Sequence, residues 1–132
     1  MQSRAYYRDM SAEFKDEVTT KIISFLREIG LSVSVGRVDE ASFLPGIAIV
    51  DGGLVVDEPN LLYPGDLLHE AGHLALAPAE LRGTLSGIVE IPGAIAEIVE
   101  VAAMCWSYAA WYGSASLMLS NEFHEKVAAK SF

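Results

Sequence analysis

Asp51-Gly52-Gly53 stands between two runs suited to a sheet, Ile47-Ala48-Ile49-Val50 and Leu54-Val55-Val56. A tight hairpin turn needs positive φ at its centre, and Asp-Gly-Gly supplies it at little steric cost. The middle of the chain is therefore committed to a short antiparallel hairpin, and the flanking segments have to cover it. Upstream, Leu31 to Val38 alternates: Leu31, Val33 and Val35 fall on one side, Ser32 and Ser34 on the other. That reads as a third strand. Before it, Ser11 to Glu28 reads as an amphipathic helix, because Phe14, Val18, Ile22, Phe25 and Leu26 recur at three- and four-residue spacing. Asp9 or Ser11 can cap its start, and Gly30 can end it in the left-handed conformation.

Prolines punctuate the second half. Pro59 to Pro64 breaks the sheet, Pro64 or Asp66 opens a helix, and Pro78 stops it. A short helical turn is expected at Ala79 to Arg82. Pro92 is expected to open a long helix to Tyr112, with Gly113 as its stop, and a last helical piece is expected from Asn121 to Lys130. The architecture implied is α+β: an N-terminal helix and a sheet of about three strands, backed by helices. At 132 residues it makes a single domain, 1–132.

Apolar residues make up 52% of the chain and charged residues 20%, enough for a real core. The formal net charge of −9 argues against nucleic acid, which needs clustered Lys and Arg. Between Asp51 and Glu100 the only base is Arg82. A segment this acidic suits a cation site or a basic ligand, although solubility alone accounts for exposed acids. Cys105 is the one cysteine, so no intrachain disulfide forms, which fits a reducing, cytoplasmic compartment. Its neighbours Met104 and Trp106 make it core filler sooner than nucleophile. Met1 to Lys15 is polar and unlike a signal peptide. The apolar stretch Ile91 to Leu119 is interrupted by Glu97 and Glu100 and reads as a buried helix, with no membrane span expected. The apolar surplus of so small a chain is compatible with a homo-oligomer.

The residues that carry chemistry are His69-Glu70-Ala71-Gly72-His73. Helical positions i and i+4 lie one turn apart on one face, so two imidazoles there can hold one metal ion. Glu70 sits about 100° round from His69, beside a bound metal and within reach of a water on it. Zinc makes such a water acidic, and a neighbouring carboxylate can take its proton. Two core histidines with a coincidental glutamate are the bland alternative. Gly72 is costly in mid-helix and makes sense if another element packs very close.

A catalytic zinc takes a third protein ligand. Glu97 and Glu100 share one face of the Pro92–Tyr112 helix, amid Ile95, Ile98, Val99 and Val101, where carboxylates need a partner or a metal. Glu100 is favoured as ligand and Glu97 as acceptor for a histidine N–H, with the reverse assignment open. His124 is a ligand, an oxyanion donor or a surface residue among Glu122, Glu125 and Lys126. Tyr63 and Tyr108 are further proton or oxyanion donors, or packing aromatics.

HEAGH followed by a helical glutamate resembles the zincin metallopeptidases, within them the group whose third ligand is a glutamate. Leu68-His69-Glu70-Ala71-Gly72-His73 and Trp106-Ser107-Tyr108-Ala109-Ala110 are also similar to a group of small bacterial proteins in which a glutamate precedes Trp-Ser-Tyr by six residues, here Glu100. The resemblance spans roughly Leu31 to Tyr112. It implies a small zincin-like domain, with Zn2+ on His69 and His73 and Glu70 as base. It also implies a peptide or small-protein substrate held by strand addition along Leu54 to Asp57. The function expected is a zinc-dependent hydrolase, a peptidase; the alternative is a non-catalytic zinc-binding regulatory or interaction domain.

Overall fold

A computed structural model describes residues 13–40, 42 and 44–113. The first helix, α1 (Glu17–Glu28), begins later than its apolar spacing suggests. The Glu58 carboxylate accepts the N–H groups of Lys15 and Asp16 at 2.8–3.0 Å, which holds that stretch out of the helix. Asp16 then caps α1 by accepting from the Thr19 N–H and hydroxyl, both at 2.9 Å. Gly30, at φ 101°, ends it: the Leu31 N–H bonds the Leu26 carbonyl and the Gly30 N–H bonds Arg27. This is the double closure that a left-handed residue permits.

Three strands follow, β1 (Val33–Val35), β2 (Ile47–Val50) and β3 (Gly53–Val56). The expected hairpin is present. Val50 pairs with Gly53 across a two-residue turn, and both Asp51 (φ 48°) and Gly52 (φ 79°) take positive φ. The strand expected over Leu31 to Val38 is shorter, and it pairs parallel with β3, with Val33 opposite Leu54. The sheet order is β1-β3-β2, so β3 is central. Leu54 and Val56 are buried as a result, and Leu54 to Asp57 offers no free edge for strand addition.

After a single 3-10 turn at Glu58–Asn60, α2 runs from Asp66 to Leu76 and stops before Pro78. The short α3 occupies Ala79–Arg82 as expected. The Arg82 side chain folds back over the end of α2, donating to the carbonyls of Leu74 (2.7 Å), Ala75 (3.2 Å) and Ala77 (3.1 Å). A cation there satisfies carbonyls that a helix end leaves open. The long helix α4 spans Ala96–Gly113, starting four residues after the proline expected to open it. Pro92 and Gly93 instead form a turn, with Gly93 at φ 81° and the Ala94 N–H bonded to the Ile91 carbonyl at 3.0 Å. Proline followed by a positive-φ glycine is the signature of a type II turn, and it wins over helix initiation.

Among the described residues the architecture is therefore α+β, four helices with a three-stranded mixed sheet. Val18, Ile22, Ile23 and Leu26 of α1 meet Leu67, Leu68, Ala71 and Leu74 of α2 and the inner face of the sheet in one core. Helix α2 is the hub, touching α1, the sheet and α4. Helix α4 buries only Ala103, Ser107 and Trp111, leaving Ile98, Val101 and Met104 exposed. No helix among the described residues is long and apolar enough to cross a membrane. The expected Asn121–Lys130 helix lies outside the described residues.

Candidate metal centre

His69 and His73 project from successive turns of α2, their rings edge to face with centroids 4.9 Å apart. Both turn Nε2 toward the same atom, Oε2 of Glu100 on α4, at 2.9 Å from His69 and 3.1 Å from His73. The close approach of the two helices explains why Glu100 reaches them. A Cβ on Gly72 would stand 2.9 Å from the Ala103 carbonyl oxygen and 3.2 Å from its Cα. Only glycine allows that contact, and Glu100 lies one turn before Ala103 on the same face of α4.

Glu70 is the fourth member. Its carboxylate and the two imidazoles offer ligand atoms within 4.8 Å of one another. Glu100 is nearer still to both Nε2 atoms, and its half-exposed side chain covers the histidines from the α4 side. Burial pushes the Glu70 carboxyl up to about 7; the His69 ring opposes this, while Glu100 and Asp66 add to it. Burial also lowers His73, and Glu100 partly offsets that. The neutral imidazole that a metal requires is thus the favoured form of His73.

The donor set fits a tetrahedral metal. Zinc bonds of about 2.0–2.1 Å put neighbouring ligand atoms roughly 3.3 Å apart, so the observed 2.9 and 3.1 Å need only a small expansion. A zinc-imidazole normally donates its other N–H, yet Nδ1 of His73 is buried without a hydrogen-bond partner among the described residues. Glu97 does not fill that role: it is exposed on α4 and bonds neither histidine.

Tyr108 is also removed from the site. It stands eight residues after Glu100, about 12 Å along the helix axis, and stacks on Tyr112 with ring centroids 6.2 Å apart. Tyr63 is half-exposed on the approach to α2 and lines neither cleft described below. His124 lies outside the described residues. One neighbour escaped the sequence reading. Asp66, one turn before His69 and Glu70, is half-buried with its carboxyl pushed up by burial. Its i−3 and i−4 spacing on the helix face was the available signal.

Two clefts flank the centre. One of about 330 Å³ lies between Glu70, the β2 residues Ile47 and Ile49, and Ile88. The other, about 520 Å³, is bounded by His73 and Glu100 on one side and by the loop from Ile88 to Ala94 on the other. The outer edge of β2 is already engaged. The Ile49 carbonyl accepts from the Gly87 N–H at 2.9 Å, and the Ile47 carbonyl accepts from the Ser42 hydroxyl at 2.8 Å. The chain matches no protein-family model, no curated protein and no solved structure.

Proposed function

We propose that this chain is a zinc-dependent hydrolase of zincin-like design, acting as a peptidase. The observation that carries the reading is the meeting of both histidine Nε2 atoms with one Glu100 oxygen from a second helix, beside the partly buried carboxylate of Glu70. Zinc bound there would supply a Lewis acid that polarises a carbonyl and acidifies water. His69, His73 and Glu100 would hold it. Glu70 would take a proton from the attacking water and pass it to the leaving amine. A carboxyl near neutral pKa in the metal-free protein suits both transfers, and a neighbouring cation would favour its ionised form. A purely structural zinc site closes its fourth position with protein. Among the described residues no cysteine or further histidine approaches this one.

The test is metal content by elemental analysis of the untagged protein, alongside His69→Ala, Glu100→Ala and Glu70→Gln. About one zinc per chain is expected in the wild type and in Glu70→Gln, with loss in the other two. A peptide-library screen should then show turnover that falls by about 10²–10⁴-fold in Glu70→Gln. A wild type that takes up no zinc when offered it would end the reading. Full zinc loading without turnover would leave a non-catalytic zinc domain.

A further inference from the structure

The larger cleft has an uneven chemistry. Ile88, Val89, Ile91, Pro92 and Val99 make its walls apolar, and its charged groups are Glu90 and Glu100. Glu100 faces the histidines. Among the described residues Glu90 makes no ion pair or hydrogen bond, and no lysine or arginine lines the cleft. Arg82, the only base between Asp51 and Glu100, is engaged with the end of α2. An aliphatic wall that carries a carboxylate fits one kind of side chain, a hydrocarbon stem with a cation at its tip. The smaller cleft differs, since among the described residues Glu70 is its only acidic or basic one and its other walls are mainly apolar.

We infer that the larger cleft receives a lysine or arginine side chain of the ligand, its stem along Ile88, Ile91 and Val99 and its cation on Glu90. The smaller cleft then takes an apolar side chain from the other side of the centre. As a statement about substrate, this rests on the peptidase reading; as a statement about binding, it needs only the cleft. The start of α4 borders the same cleft through Ala96, and a helix N-terminus attracts anions. Glu97 and Glu100 in the opening turns of α4 offset that attraction. The net charge of −9 also favours a cationic ligand.

The test is calorimetric titration of the full chain carrying Glu70→Gln, with and without zinc. The probes are blocked tetrapeptides with a central leucine and one variable residue, arginine, norleucine or glutamate, placed on either side of it. The arginine peptide is expected to bind about fivefold tighter than the norleucine peptide at low salt, the scale of an exposed ion pair. Screening at about 1 M salt should erase the difference. Adding Glu90→Gln should abolish it, and Glu90→Lys should turn the preference toward glutamate. Equal binding of arginine and norleucine, a glutamate preference in the Glu90 protein, a preference that survives Glu90→Gln, or no binding of any probe would overturn the inference. The two readings fail separately. Zinc uptake and hydrolysis without an arginine preference would remove only the cleft assignment. An arginine preference in protein that takes up no zinc would keep the cleft and remove the hydrolase.

Discussion

Glu70 is the residue whose titration is most visible in the metal-free protein. Its carboxyl is raised from 4.5 to about 7, chiefly by burial, so the folded state prefers it protonated. A raised carboxyl costs nothing below the unfolded value near 4.5. The cost grows as pH rises from there toward 7 and is complete above it. Glu70→Gln removes this ionisation. In chelator, the variant should match the wild type at pH 4 and exceed it at pH 8 by on the order of 1–2 kcal/mol, allowing for partial exposure. Thermal melts at the two pH values check this, and a wild type more stable at pH 8 would sink the account. His73 acts with the opposite sign: its lowered pKa costs stability as pH falls below 6.5. Both proteins carry His73, so the comparison isolates Glu70.

Among the elements, the α2–α4 contact and the hairpin turn carry the sharpest expectations. Replacing a helical glycine with alanine ordinarily gains about 1 kcal/mol. At Gly72 the new Cβ would meet the Ala103 carbonyl at 2.9 Å. Gly72→Ala should therefore destabilise by about 1–2 kcal/mol as α4 is pushed away, and weaken zinc binding at least tenfold as Glu100 moves with it. Denaturant titration and zinc competition measure the two effects. A more stable Gly72→Ala would mean that α4 does not sit this close. In the turn, Gly52 combines positive φ with a position where a Cβ would collide with the Arg82 carbonyl oxygen. Gly52→Ala should cost about 2 kcal/mol or more. Gly83→Ala, where a Cβ meets open space, should stay within about 0.5 kcal/mol of the wild type.

On the scale of the molecule, α4 is attached chiefly through α2 and buries a narrow stripe, while Ile98, Val101 and Met104 stay in solvent. A metal held by both helices would add the missing tie. Zinc at about 1,000 times its Kd should raise stability by about 4 kcal/mol. Scanning calorimetry should read that as a higher Tm, and hydrogen exchange should slow in α4. His69→Ala should abolish both responses. A zinc-induced rise in Tm that leaves exchange in α4 unchanged would place the ion elsewhere. The exposed apolar face of α4 is also where the expectation of self-association bears.

Short-range geometry accounts for what could be read from the residues alone. The positive φ at Asp51 and Gly52, the stop of α2 before Pro78 and the one-turn spacing of His69 and His73 all follow from backbone rules acting over a few positions. The same rules misplaced the start of α1, because a distant glutamate, Glu58, takes the N–H groups of Lys15 and Asp16. They also misplaced the start of α4, where the Pro92-Gly93 turn was locally visible but read as a helix opening. The choice between Glu97 and Glu100 could not be made from spacing, since both lie on one helix face. Which of them meets the histidines follows from how far α4 slides along α2, which the Gly72–Ala103 contact sets. Likewise, the alternation over Leu31 to Val38 allowed several pairings. Only the packed sheet made β3 central and let the Leu85–Gly87 segment cover the edge beside the site. Local conformation needs a few neighbouring residues; helix register, strand order and cleft walls need contacts between segments far apart in the chain.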